Sequence, residues 1–351
     1  MDPSLGIPFD TVEADALDAI AGLDAPVVLA VNDPPWNALE SRVSTAVEVL
    51  AVVPAWDMEL GHLQRTADGL ATSVDPDRLA RSIVVGVGGG TALDTAKFLA
   101  STLGRPLVQV PTITSVDAGF TDAIGVRDGG RVRYVGKVVP LHVVIDLPLV
   151  RSAPPSLNRA GIGDVLSCHT GLFDWRLATA RGEGHPWDET LAGLGRSLLD
   201  ELEAAVDDIA AVSDAGVRFL VDAYRRVGAA CAAVGHSRFE EGSEHFWAYA
   251  YEHATRAHPV HGEIISFAVC AMAHVQGNDP ERAAHLVRRS GVRAHPDDLG
   301  ISFDDFSAAL GGLAAYARAE GLDVSVVDLH PVDERAIAAA WRFASSLPRV
   351  G

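Results

Sequence analysis

With 351 residues, 48% of them hydrophobic and 21% charged, the chain can bury a large core and is not disordered, and at roughly 100–200 residues per domain two domains are expected. Its 28 basic and 47 acidic side chains leave a net charge of −19, which argues against a nucleic-acid backbone or an anionic membrane surface as the main partner. No run approaches the ~18 apolar residues of a membrane span, Met1 to Asp10 lacks the pattern of a signal peptide, and Cys168, Cys231 and Cys270 form no CxxC pair, so a reducing, cytoplasmic setting is expected.

Ala25 to Val31 is a short apolar run that ends in the turn residues Asn32, Asp33, Pro34 and Pro35. Helical spacing follows over Trp36 to Leu50, then a second apolar run over Ala51 to Trp56. Ser82 to Val87 is rich in β-formers and meets three glycines, after which Thr91 to Ser101 is helix-like. Leu107 to Val110 and His142 to Ile145 read as further buried strands. Strands alternating with helices predict a parallel sheet with helix-covered faces. Beyond Pro154 and Pro155 strand-like runs almost vanish. Amphipathic patterns take over at Trp187 to Val212, Val217 to Val234, Ser243 to Thr255 and Gly262 to Val275, with Ser302, Asp304 and Asp328 near later helix starts. The expected architecture is a nucleotide-type α/β domain over residues 1–152, then an all-α domain over 153–351.

Val84 to Lys97 reads VVGVGGGTALDTAK, a strand running into Gly88, Gly89 and Gly90 with a helix opening near Thr91. Glycines let the backbone approach a phosphate, and the N–H groups of a helix N-terminus stabilise its charge. Asp94 and Lys97 lie three apart on that helix. A glycine-rich turn with no ligand is the plain alternative, but the full order of strand, glycines, Thr, Asp and Lys favours phosphate binding. This is not the usual GxGxxG spacing. A second strand end, Pro111 to Asp117, places hydroxyls and a carboxylate where open α/β sheets bind ligands.

Five of the 13 histidines, His236, His245, His253, His258 and His261, fall within 26 residues, where even scattering would put about one. His245 and His261 each enter a predicted helix, and a helical hairpin could bring them to Asp164. Asp with two His leaves a fourth coordination position open, as in a catalytic metal site. His253 and His258 read as surface residues or as donors to the ligands. His62, His142, His185, His285, His295 and His330 read as solvated. Cys168 reads as a small buried hydrophobe, and Trp175, Trp187, Trp247 and Trp341 as packing residues.

The segments GGGTALDTAK, PTITSVDAG, AGIGDVLSCHTGLFDW, GSEH and HGE, in this order, resemble glycerol-1-phosphate dehydrogenases. Their superfamily includes iron-containing alcohol dehydrogenases, glycerol dehydrogenase and dehydroquinate synthase, and the resemblance spans about residues 25 to 275. It implies a Rossmann-like dinucleotide-binding domain, a helical domain and a divalent metal. By motif, Gly88, Gly89, Gly90, Thr91, Asp94 and Lys97, with Thr112, Ser115 and Thr121, match cofactor contacts. Asp33 ends the first strand, where a carboxylate would bind ribose hydroxyls and oppose a 2′-phosphate, which leans toward NAD over NADP. Asp117 matches a substrate contact. Asp164, His245 and His261 match three zinc ligands, a donor set that iron or nickel also suits.

Two positions depart from the family pattern. Tyr249 stands where the glycerol-phosphate enzymes carry a second histidine, and Ser237-Arg238-Phe239-Glu240-Glu241 replaces Ser-Arg-Pro and small residues. Acidic side chains near the site would disfavour a phosphorylated substrate. The resemblance implies reversible hydride transfer between a nicotinamide and a small polyol or ketone, glycerol 1-phosphate and dihydroxyacetone phosphate first among them. Asp117, Tyr249 or a water relay would handle the hydroxyl proton, and Asp164 lies beside the substrate. A sugar phosphate cyclase with the same cofactor and metal, and a non-catalytic nucleotide- or metal-binding protein, remain as alternatives, and a homo-oligomer is left open.

Overall fold

A computed structural model describes residues 10–350, so the stretch read above for a leader lies outside the described residues except for Asp10. No described helix is long and apolar enough to cross a membrane. The chain divides into two compact units. One holds the residues up to Pro154 together with Tyr224–Ala232, and the other holds Pro155–Ala223 and the residues from Ala233 onward.

Eight strands build the first unit: β1 (Asp10–Glu13), β2 (Val27–Val31), β3 (Val49–Pro54), β4 (Ile83–Gly88), β5 (Leu107–Pro111), β6 (Ala123–Asp128), β7 (Arg131–Lys137) and β8 (His142–Ile145). Six of them form one sheet in the order β1-β8-β5-β4-β2-β3, every pair parallel, while β6 and β7 make a separate antiparallel ribbon. The fold is the expected Rossmann-like α/β arrangement. β2 shows why it holds: its alternate residues serve two cores. Val27, Leu29 and Val31 pack with Trp36, Leu39 and Val43 of the helix Pro35–Ala46. Val28 and Ala30 pack with Leu63 and Leu70 of the helix Leu60–Ser73 and with Phe98 and Leu99 of the helix Gly90–Leu103. The helical spacing read to Leu50 overruns the structure. The helix stops at Ala46 because the β-branched Val47 is already extended (φ −138°), and Val49 opens β3.

The second unit is helical, with long helices Cys168–Ala180, Glu189–Ala210, Ser243–Thr255, His261–Gln276 and Phe303–Glu320. His261–Gln276 is buried continuously from Gly262 to Ala273, the pattern of a central helix with no solvent face. Ser302 caps Phe303–Glu320 by accepting from the Asp305 N–H. His295 is not a solvated side chain. It is buried, and its Nδ1 accepts from the Asp297 N–H at 3.1 Å to cap a short helix.

The helix Asp214–Val234 gives its segment Tyr224–Ala232 to the sheet unit, a grouping that no break in the sequence signals. Tyr224 Oη donates to the Thr114 carbonyl at 2.9 Å, and its ring lies 5.7 Å from that of Phe120. Gly228 allows the approach, since a Cβ there would sit 1.8 Å from the Phe120 carbonyl oxygen.

Candidate functional site

In the sheet unit, β2 pairs with β3 on one side and β4 on the other, so the strand order reverses there. Open parallel sheets bind ligands beyond the carboxyl ends of the strands at such a reversal. Asn32, immediately after β2, ties this point together. Its Oδ1 accepts from Gly89 N at 3.2 Å and its Nδ2 donates to the Ala55 carbonyl at 2.5 Å. Gly88 adopts φ +154°, and a Cβ on it would lie 2.6 Å from Asn32 Oδ1. A Cβ on Gly89 would lie 2.8 Å from Ile113 Cδ1. The helix that follows, Gly90–Leu103, has no side-chain cap at its N-terminus, so its first N–H groups suit an anion.

Around this turn, Thr112 is buried with its N–H on the Gly88 carbonyl at 3.0 Å, Ser115 is buried, Thr91 is half-buried and Asp33 is exposed. Lys97 is fully buried. Its Nζ donates to Thr121 Oγ1 at 3.1 Å and the Ala123 carbonyl at 2.8 Å, and stands 3.1 Å from Asp94 Oδ1. Two hydrogen bonds and one ion pair therefore hold the ammonium inside the fold, and Lys97 and Asp94 anchor the helix to the Thr121 turn. Burial pushes the Asp94 carboxyl up, against the opposing charge of Lys97. Asp117 opens the single turn Asp117–Phe120 beyond β5.

In the helical unit, the sequence delivers three ligand-type side chains to one point. Asp164 comes from the short helix Ile162–Leu166, His245 from the first turn of Ser243–Thr255, and His261 opens His261–Gln276. One ligand atom from each lies within 4.8 Å of the others, and this is the one such group of three or more among the described residues. His261 Nε2 stands 3.2 Å from Asp164 Oδ1. Asp164 and His245 are buried while His261 is 28% exposed. His245 Nδ1 meets Glu244 Oε1 at 2.9 Å, so its Nε2 is the nitrogen left to meet an ion. Burial works to lower the His245 pKa, but the hydrogen bond and charge of Glu244, with Glu241 and Glu240, hold it up to about 10. One carboxylate and two imidazoles fit a divalent ion with an open coordination position.

Glu244 and Asp174 lie inside the segments GSEH and AGIGDVLSCHTGLFDW, but their supporting contacts appear only in the fold. Glu244, fully buried, also accepts from Gly242 N at 2.7 Å. Asp174 accepts from Ser243 N and from Val326 N, each at 2.7 Å, and so fixes the start of the His245 helix. Tyr249, one turn after His245, has its ring 6.0 Å from the imidazole and donates from Oη to Glu241 Oε1 at 2.7 Å. Cys168 sits in the core, where burial and then the charges of Glu240 and Glu244 push its thiol well above the ordinary range, so it is inert. His253 and His258 lie outside the triad. Local residue order reveals none of these roles except Tyr249, whose i+4 spacing from His245 is the signal.

A family model described as iron-containing alcohol dehydrogenase matches residues 23–154. A glycerol-1-phosphate dehydrogenase (NAD(P)+) of Pyrobaculum neutrophilum is 33% identical over 293 residues, 82% of each chain. The one of Hyperthermus butylicus is 27% identical over 296 residues, 84% of each chain. Among solved structures, a probable glycerol dehydrogenase from Sinorhizobium meliloti superposes with a TM-score of 0.73 at 23% identity, over 97% of this chain and 98% of that one. Glycerol dehydrogenase from Schizosaccharomyces pombe gives 0.72 at 18% identity, over 97% and 89%. The fold is shared with these structures, and the Pyrobaculum relative is close enough to assign kinship. The chain belongs to the glycerol-1-phosphate dehydrogenase family of the iron-containing alcohol dehydrogenases and is an NAD(P)-linked alcohol dehydrogenase.

Proposed function

We propose that the chain catalyses metal-dependent, reversible hydride transfer between NAD and a small polyol or hydroxyketone. Residues 1–152 serve the cofactor and 153–351 hold the metal. The observation that carries this reading is the convergence of Asp164, His245 and His261 within 4.8 Å. These three residues would hold the ion, zinc in the first instance, with iron and nickel suiting the same donors. When bound, the metal supplies Lewis-acid polarisation of the substrate oxygen and the nicotinamide gives or takes the hydride.

The chain's own groups do the rest. Gly88 to Thr91 bind the pyrophosphate at the helix N-terminus, shaped by Asn32, and Thr112, Ser115 and Thr121 line the same loop system. The exposed Asp33 meets ribose hydroxyls, which favours NAD over NADP. Asp117 contacts the substrate, and Asp164 stands beside it. Tyr249, whose Oη is held by Glu241 at 2.7 Å, Asp117 or a water relay would position the reacting hydroxyl and move its proton. The cyclase alternative loses support, because the chain has only two lysines. Lys97 is spent internally, and Lys137 pairs with Asp122 at 3.1 Å.

The test is NADH oxidation by zinc-loaded protein given dihydroxyacetone or dihydroxyacetone phosphate, the latter suggested by the relatives' name, with NADPH and Asp164→Ala in parallel. Turnover that needs zinc and vanishes in the variant is expected. Protein that holds zinc and NADH yet oxidises no NADH with either ketone would overturn the reading.

A further inference from the structure

One helical turn beyond the metal-ligand triad, the chain builds a second polar group. Glu241 accepts from Tyr249 Oη at 2.7 Å through Oε1 and from Ser237 Oγ at 2.5 Å through Oε2. Two hydroxyls, on different elements, thus fix the direction of one half-buried carboxylate. Each oxygen retains a lone pair, and only a donor can satisfy it. Tyr249 ties this group to the triad, because its ring packs beside His245 on the same helix.

Carboxylates crowd the group. Glu240 and Glu244 are buried close by, at 8% and 0% exposure. Arg238 lies in the same cluster, and its guanidinium is committed. It donates to the Glu241 carbonyl at 3.2 Å and the Val324 carbonyl at 2.8 Å, and stands 3.9 Å from Asp323. A phosphate brought to Glu241 would meet a carboxylate with no partner cation from this cluster. A hydroxyl or an ammonium would meet an acceptor already aimed.

We propose that Glu241, aligned by Tyr249 and Ser237, is the specificity-determining residue at the substrate's distal end, and that the substrate presents a hydrogen-bond donor there rather than a phosphate. This rests on the metal-dependent dehydrogenase reading above. The substrate class is then an unphosphorylated polyol or amino alcohol with its ketone.

The test is binding, with zinc and NADH loading measured first on the same protein, so that failure to hold either one counts against the dehydrogenase reading alone. Zinc-loaded protein with NAD is then titrated calorimetrically with glycerol, aminopropanediol and glycerol 1-phosphate. Glycerol or aminopropanediol is expected to bind at least about tenfold more tightly than glycerol 1-phosphate, and whichever is tighter identifies hydroxyl or ammonium as the donor. Glu241→Arg should invert the order. If Glu241→Arg does not fold, Glu241→Gln should weaken aminopropanediol relative to glycerol 1-phosphate by at least about tenfold. Phosphate binding as tight as glycerol in the wild type, or a ratio unmoved by the Glu241 variants while zinc and NADH still bind, would overturn the proposal.

Discussion

Gly163 and Gly262 meet backbone to backbone: a Cβ on Gly163 would lie 2.4 Å from the Gly262 carbonyl oxygen and 2.7 Å from its Cα. One precedes Asp164 and the other follows His261, so this contact sets how near the two ligand side chains come. Ser266 Oγ donates to the same carbonyl at 2.6 Å and fixes it further. Gly163→Ala should force the two backbones apart, costing about 1–3 kcal/mol of stability. It should also weaken zinc affinity by about tenfold or more as the ligands separate. Urea unfolding and competition with a coloured zinc chelator measure the two effects. Unchanged zinc affinity would mean that the glycine contact does not set the ligand spacing.

Glu244 orients His245 through Nδ1 and is itself held by Gly242 N. In Glu244→Gln the amide cannot accept from both donors with a full negative charge behind it. Zinc affinity should fall by about 10–100-fold, the usual effect of losing a carboxylate behind a ligating histidine. Circular dichroism should stay that of the wild type. A variant that binds zinc as before would remove Glu244 from any positioning role.

Asn32 bridges the ends of β2, β3 and β4. Asn32→Ala leaves Gly89 N and the Ala55 carbonyl without this partner, at a cost of about 1–3 kcal/mol. NADH affinity should drop by about tenfold as the glycine turn loses its shape, while zinc binding at the proposed Asp164, His245 and His261 site should not change. Fluorescence titration with NADH checks the first outcome and zinc content the second.

The order of strand into Gly88, Gly89 and Gly90 into helix is local in the sequence, and so are the helix entries of His245 and His261, whereas Asp164 joins them only through the fold. The parallel sheet followed from alternation alone. Asn32 and Asp174 were not readable, because what they do depends on partners 57 and 69 residues away that no periodicity links. Lys97 misled for a related reason. Its place in the motif suggests a phosphate, and only the fold reveals Thr121, Ala123 and Asp94 around its ammonium.

Asp174 predicts a pH signature. Burial, opposed by its contacts with Ser243, pushes its carboxyl up to about 6 from 3.8. The folded chain therefore holds this proton more tightly than the unfolded chain. The resulting stabilisation is fully present below about pH 4, is lost as pH rises through about 6, and amounts to about 3 kcal/mol. Asp174→Asn removes the titration, so the wild type should lose stability relative to the variant across that window. Parallel profiles in urea unfolding would show that Asp174 does not titrate there.

The helix segment Tyr224–Ala232 has a consequence for how this protein can be divided. A chain ended at Pro154 would keep every strand of the sheet but lose Tyr224, whose hydroxyl meets the Thr114 carbonyl, and Gly228, which lies over Phe120. The excised piece would expose Phe120 and the loop that carries Asp117 and Thr121. A remainder beginning at Pro155 would carry an uncovered helical stretch. No single cut yields two self-sufficient modules, so shuffling of this sheet unit between proteins requires two crossovers, or a graft of the helix along with it.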